Sequence, residues 1–439
     1  MKWYSTVTQF AAERFNNAGD PDSNVETPPL AAAPVAEDIL PMARPAEPGT
    51  ALASLARMGE SRLDRIYTAF DVSQPVGEPG DLRGREDEVE ALLSGVLYRR
   101  NHGIVSGPRG SGKTSLVRVF GMYADQQGIV VLYSACDDGT TFGQLMRSYL
   151  EQIPFSSVDA DAVKAFEQRV LEFDTDSTPH QAVTIMSMVR YSQVIVVLDE
   201  FDRISDPDLH WKLSSLFKLI SDARLPVRFV LVGGRSVFAD VVQGHPSLIR
   251  HVTRVSTSPL TAESIDALLD QCSSRCGMSF DQDARTMLER VSCGSPYHAR
   301  LFGMHSAICA DQQGDTVITE VHVISGLRQA FVEWASFNEE DAAIFRALAA
   351  GRSGNPGPYV KVARRLAFGG EADHVDGRDH TLPTIEPGLV EGFGKALVID
   401  GESVSFRDST APEFFIALVE LVHRDTLKER PARKDRQNV

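Results

Sequence analysis

The sequence predicts an α/β fold: a mainly parallel sheet carrying a phosphate-binding loop, then a helical domain, then a C-terminal winged-helix-like module. Three observations predict it. Short apolar runs bounded by turn residues alternate with helical stretches in the first half of the chain. A glycine-rich GxxxxGK(S/T) pattern falls between one such run and the next helix. Near the C-terminus a hairpin signal stands among helical stretches.

Residues 1–60 differ in composition from the rest of the chain. Seven prolines lie between Pro21 and Pro48, mixed with Ala and Glu. Such a stretch buries too little apolar surface to offset its ordering entropy, so it reads as a disordered, flexible linker. Ahead of it, Trp3, Val7, Phe10 and Phe15 fit one face of a short helix, either a frayed terminus or a peptide that docks on a partner.

Residues 61–255 read as an α/β domain. Asp87–Leu93 has helical spacing of apolar residues, and His102–Ser106, Ile129–Ser134, Val194–Leu198 and Val227–Val232 read as strands. The unbroken apolar run Val194–Leu198 fits a central strand covered on both faces. The stretch between Lys113 and Asp199 leaves room for two strand–helix units.

Residues 256–335 carry no strand pattern and read as a helical domain. Its helices open at Thr261 and cover Asp281–Val291, Pro296–Ala310 and Val321–Ala335. Residues 336–425 change again. Helical patterns at Asn338–Ala350 and Tyr359–Ala367 precede two short strands, Ala396–Ile399 and Ser403–Phe406, around the turn Asp400-Gly401-Glu402. A helix from about Pro412 completes a winged-helix outline, and 426–439 is a charged tail.

Composition bounds the function. The chain has 439 residues, 43% hydrophobic and 24% charged, ordinary for a globular protein. A formal charge of −16 argues against a surface coated in nucleic acid, though a local basic patch is compatible with it. No apolar run approaches the roughly 20 residues of a membrane span. The N-terminus lacks a signal-peptide core. Five cysteines, with Cys272 and Cys276 read as two thiols on one helix face, form neither a disulfide framework nor a metal site. Together these point to the cytoplasm.

The chemistry concentrates at Gly107-Pro108-Arg109-Gly110-Ser111-Gly112-Lys113-Thr114, a P-loop after a strand and before a helix that begins near Ser115. Glycines let consecutive N–H groups turn inward around a polyphosphate, and the helix adds the positive end of its dipole. Lys113 reaches toward β- and γ-phosphates, and the Thr114 hydroxyl suits Mg²⁺. The matching acidic half is Asp199-Glu200, at the end of Val194–Leu198: Asp199 for the metal through its water shell, Glu200 to polarise the attacking water. Asp202 either joins the acidic cluster or is a helix N-terminal charge.

These residues resemble the AAA+ ATPases, in particular the initiator (origin-recognition-like) and STAND-type branches. Gly84-Arg85-Glu86-Asp87-Glu88 ahead of the loop is similar to their GR-x-x-E segment, and Leu198–Arg203 to their second acidic motif. Gly294-Ser295-Pro296 resembles the GxP element of STAND proteins, which implies that Pro296 packs near adenine. The same stretch overlaps the sensor-2 position of initiators, which makes Arg300 a candidate there. The resemblance covers about residues 70–330 and implies a P-loop NTPase with a helical lid, binding ATP and Mg²⁺.

Two places depart from the family pattern. Val227–Val232 leads to Gly233-Gly234-Arg235 where a polar sensor is expected; Arg235 either contacts the γ-phosphate or is a surface arginine. An arginine finger offered to a neighbouring subunit is expected near Arg250, with Arg254 in reserve, either of which also suits a plain salt bridge. The implied function is an ATP-hydrolysing switch, self-associating with ATP, whose partner is DNA or a protein. Lys361, Arg364 and Arg365, with six basic and three acidic residues in Arg424–Val439, favour a DNA-associated replication- or transposition-type regulator. The charge of −16 and Pro296 favour a signalling or defence switch. A metabolic kinase has no obvious use for the lid and the C-terminal module.

Overall fold

The computed structural model describes residues 61–234, 237–351, 354–368, 372–373, 385–400 and 403–428. The expectations for residues 1–60, for Arg235, for Gly401-Glu402 and for the tail beyond 428 lie outside the described residues. By its contacts the chain divides into Met1–Arg57 and Met58–Val439, and all the described elements belong to the second unit.

The chain opens with helix α1 (Arg62–Ala69), capped by the Ser61 hydroxyl, and α2 (Glu86–Leu93), with Glu86, Asp87 and Glu88 in its first turn. Strand β1 (His102–Ser106) leads through the glycine loop into α3 (Lys113–Gln126). Then come β2 (Val130–Ala135), α4 (Phe142–Leu150), α5 (Val163–Leu171), α6 (Pro179–Met186), β3 (Val194–Asp199), α7 (Pro207–Asp222), β4 (Val227–Gly233), α8 (Val237–Gly244) and β5 (Val252–Ser256). The five strands pair in parallel in the order β2-β3-β4-β1-β5. The register sets Val194 opposite both Val130 and Val227, and Gly103 opposite Val230.

Both faces of the sheet are covered. On β3, Val194, Val196 and Leu198 pack with α4–α8, while Ile195 and Val197 pack with α2 and α3. Period-two alternation on a doubly covered strand makes every residue apolar. Each such side chain contributes about 1.5–3 kcal/mol by burial.

Two expectations need correction. One strand, β2, lies between Lys113 and Asp199, not two; helices α4–α6 fill the rest. Capping boxes at Thr141/Gln144 and Thr178/Gln181 start two of those helices, and Val158 and Val189 form only an isolated bridge. Strand β5 is absent from the predicted runs. It reads Val-Thr-Arg-Val-Ser at the sheet edge, with only Val255 buried, so its apolar signal is weak.

After the sheet come α9 (Ala262–Arg275), β6 (Ser279–Phe280), α10 (Gln282–Ser292), α11 (Pro296–Gln312), β7 (Val317–Ile318) and α12 (Glu320–Phe337). The segment read as strand-free thus holds one parallel pair, β6 with β7, too short to leave a periodic pattern. The C-terminal module comprises α13 (Glu339–Ala349), α14 (Gly357–Leu366), β8 (Ala372–Asp373), α15 (Pro387–Phe393), β9 (Leu397–Asp400), β10 (Ser403–Phe406) and α16 (Ala411–Lys428). Its antiparallel sheet has the order β8-β10-β9, a winged-helix-like arrangement. The lid helices and this module share one continuous hydrophobic core. At its centre Trp334 stacks on Phe345 and Phe414, with ring centroids 5.4 and 5.0 Å away. The fold is an α/β parallel sheet with a helical lid and a winged-helix-like C-terminus.

Candidate functional site

The loop from β1 to α3 owes its path to its glycines. Gly110 and Gly112 have φ of +77° and +88°, the left-handed region that L side chains rarely adopt. A Cβ on Gly107 would lie 1.9 Å from the Thr257 hydroxyl, so the chain passes there only as glycine. Ser111 Oγ bonds the same hydroxyl at 2.7 Å. Arg85, 3% exposed, donates to the carbonyls of Ser111 (3.2 Å) and Ser258 (2.5 Å) and pairs with Glu88 at 3.0 Å. Burial lowers its pKa, and Glu88 opposes that. The loop is therefore held from β5's exit and from the turn before α2.

Lys113 Nζ donates to the Pro108 carbonyl at 2.8 Å. Burial lowers its pKa, while Asp202, Asp199 and Glu200 act in the opposite sense. Thr114, in the first turn of α3, donates to Asp199 Oδ2 at 2.9 Å. Asp199 ends β3 and is 4% exposed. Its Oδ1 accepts from the Glu200 amide at 2.8 Å, and Oδ2 also accepts from Tyr133 on β2. Burial first, then Asp199, pushes the Tyr133 phenol up, so it is a donor throughout the ordinary pH range. Glu200 sits at φ +53° with a half-exposed side chain, paired to Arg203 at 3.1 Å. Asp202 lies against the end of β4: a Cβ on Gly233 would be 2.7 Å from its Oδ1.

The first turns of α11 close over this loop. Pro296, Tyr297 and Arg300 line the same cleft of about 1080 Å³ as the P-loop, Asp199, Glu200 and Arg109. Cβ atoms on Gly110 and Gly112 would meet Tyr297 at 3.1 Å and Pro296 at 3.9 Å. Gly294, at φ +78°, lets the chain turn tightly there, and its carbonyl accepts from Leu260 N at 2.8 Å. Val76, Leu82, Leu260 and Leu268 are among the apolar residues that line the cleft. Leu366, Ser405, Phe406 and Ser409 of the C-terminal module line it too.

Just beyond Pro296, a buried polar group joins lid to module. His298 bonds Ser295 Oγ (2.9 Å) and the Thr410 carbonyl (3.1 Å) and faces Glu413 at 4.0 Å. That distance is within ion-pair reach, yet burial drives both toward neutrality: His298 down to about 3 and Glu413 up to about 8. Both are at most 2% exposed, so burial favours the neutral form of each.

Not every predicted residue reaches the cleft. Arg250 is exposed on the turn Pro246–His251, away from the residues that line it. Arg254 places its guanidinium 4.9 Å from the Phe238 ring centroid. Ser115 lines the cleft, but its hydroxyl accepts from Val76 N at 3.0 Å. Residues that sequence reasoning passed over include Tyr133, Arg118 beneath its ring at 5.6 Å, Thr257 and Tyr297. Tyr133 leaves only a faint trace, alternating with Val131 on the face of β2 that packs on α3.

The residues fit Mg²⁺. One hydroxyl and one carboxylate meet at the loop, and Mg²⁺ typically takes few protein oxygens beside water and phosphate. Among the described residues no cluster of three His, Cys, Asp or Glu would hold a metal by protein ligands alone. None of the described helices is long and apolar enough to cross a membrane.

Residues 81–231 match the family of the AAA ATPase domain, and this region is an AAA+ P-loop ATPase domain. No curated protein matches the sequence. Among solved structures, a Walker-type ATPase of Pyrococcus abyssi is 16% identical, with a TM-score of 0.50 over 80% of this chain and 99% of that one. The Aeropyrum pernix ORC2 protein in its ADPNP–ADP complexes is 14% identical, with a TM-score of 0.43 over 82% and 98%. The Thermotoga maritima RuvB Holliday junction branch migration motor is 15% identical, with a TM-score of 0.41 over 81% and 99%.

Proposed function

We propose that the protein is an ATP-hydrolysing switch in which the lid and the C-terminal module respond together to the nucleotide. The observation that carries this is the Thr114–Asp199 bond at 2.9 Å, which joins the two halves of a phosphate site in one cleft with Pro296 and Arg300. ATP would lie with its phosphates in the N–H groups of the glycine loop and its base toward Val76, Leu82, Leu260 and Leu268. Lys113 would leave the Pro108 carbonyl for the β- and γ-phosphates. Thr114 and Asp199 would hold Mg²⁺, which neutralises phosphate charge when bound. Glu200 would turn from Arg203 to orient and polarise the attacking water.

Cleft residues from both lid and module would give ATP and ADP different contacts, and that differential affinity is what can shift a two-state equilibrium. Arg300, and Arg235 if it faces the γ-phosphate, would supply part of the difference. The reading is initiator-like or STAND-like, placed in the cytoplasm. Self-association with ATP would bring Arg250 of one copy to its neighbour's site, as a finger. The output partner we favour is a protein: Val398 and Ile399 on β9 are exposed, and Arg364 is turned onto the Arg290 carbonyl at 3.1 Å. DNA is the second reading, supported by exposed Lys361 on α14.

The test is ATP binding and steady-state turnover of Glu200→Gln. The variant is expected to bind ATP as the wild type does while turnover falls by about 10²-fold or more. Turnover at the wild-type rate would remove Glu200 from the mechanism.

A further inference from the structure

The P-loop cleft opens at the carboxyl ends of the strands. A second cleft, of about 610 Å³, opens at their amino ends, where Val194, Ile195 and Pro226 begin β3 and lead into β4. Four arginines line it: Arg100, Arg190, Arg224 and Arg228. No aspartate or glutamate does. In a chain of charge −16 that is an uncompensated positive concavity.

The arginines are held differently. Arg228 is 8% exposed and donates to the carbonyls of Leu225 (2.6 Å), Val227 (2.5 Å) and Arg100. Burial and the charge of Arg100 lower its pKa to about 10. Arg100, Arg190 and Arg224 are exposed, and none of the four has a carboxylate partner among the described residues. The nearby Asp222 is engaged by Lys218 at 2.9 Å. Tyr191, 68% exposed, stands at the rim.

Two of these arginines occupy positions that favour glycine. Arg224 follows the C-cap of α7 at φ +53°, with Leu225 N bonded back to the Ile220 carbonyl. Arg100 has φ +58° where the chain leaves the helical turn Ser94–Tyr98. Glycine would relieve both sites, so each arginine is kept against the local backbone preference.

We infer that this cleft binds a compact anion carrying several phosphate groups, of nucleotide or polyphosphate size, at a site separate from the P-loop. Guanidinium forks match phosphate oxygens two at a time, and three exposed ones beside the buried charge of Arg228, with no acid lining the cleft, call for a ligand with several negative oxygens. Their convergence on one concavity, with Arg228 sunk at its base, suits a small ligand better than a strand laid across a surface.

The test is a calorimetric titration of inorganic tripolyphosphate into the full-length wild type, into Lys113→Ala, and into an Arg100→Gly, Arg224→Gly double variant. Lys113→Ala is expected to retain one tripolyphosphate site. The double variant is expected to melt at or above the wild-type temperature, to keep the Lys113-dependent ATP site, and to lose the second site, with tripolyphosphate affinity there down at least tenfold. If the double variant does not fold, Arg190→Ala replaces it, with the same expected loss. The inference is overturned if Lys113→Ala abolishes all tripolyphosphate binding, or if the arginine variants bind it as the wild type does. It is also overturned if a single-stranded oligonucleotide displaces tripolyphosphate from Lys113→Ala at lower concentration.

Discussion

At the scale of single residues, chemistry announced by fixed spacing was legible and chemistry made by long-range packing was not. Lys113, Thr114 and Asp199 declare themselves because a glycine loop and an acid after five β-formers have few other uses. Tyr133 and Arg118 meet Asp199 only once β2 and α3 pack together, so no local pattern marks them. Glu413 is the extreme case. In sequence it is an acid in the first turn of a helix; in the fold it is 1% exposed. Burial pushes its carboxyl up to about 8, against the Phe368 amide, which donates to it at 2.9 Å. His298, Cys293 and Asp408 face it as well. A carboxyl that keeps its proton in the folded chain but loses it in the unfolded one favours folding fully below about pH 4.5. That contribution fades as pH rises through about 8. Thermal melts of wild type and Glu413→Gln across this window test it. The difference in stability should grow with pH by at most about 1.4 kcal/mol per unit, with the variant the more stable at pH 8. Parallel curves would mean that Glu413 titrates normally.

Among elements, the strands buried on both faces were read from their apolar runs, and the mixed or very short ones were not. β3 is apolar throughout because both faces are covered, whereas β5 at the edge and the two-residue β6 and β7 lack a readable period. Helix α14 shows how an element can be right while its use changes. The spacing of Lys361, Arg364 and Arg365 permits a basic face, but Arg364 reaches the Arg290 carbonyl across to α10. The protein-partner reading therefore expects weak DNA binding with ATP present, and a salt dependence that Lys361→Ala leaves unchanged. A steep log–log salt slope that flattens by roughly one in Lys361→Ala would establish α14 as a DNA-contacting helix instead.

For the whole molecule, the sheet, the lid and the C-terminal module meet at one cleft, which the sequence could not give because its lining is spread from Asp71 to Ser409. Leu366, Ser405, Phe406 and Ser409 of the module line the same cleft as the phosphate loop. Arg250 lies outside the cleft lining. Arg250→Ala should lower ATPase activity, by as much as about 10³-fold, only at protein concentrations where light scattering shows self-association. An equal loss in dilute monomer would contradict a role across subunits. Equilibrium binding of ATP to Lys113→Ala tests whether ATP sits at the glycine loop between β1 and α3. The wild type should bind ATP at this loop and Lys113→Ala should lose that site; ATP binding by Lys113→Ala that survives Arg100→Gly and Arg224→Gly would place the nucleotide elsewhere.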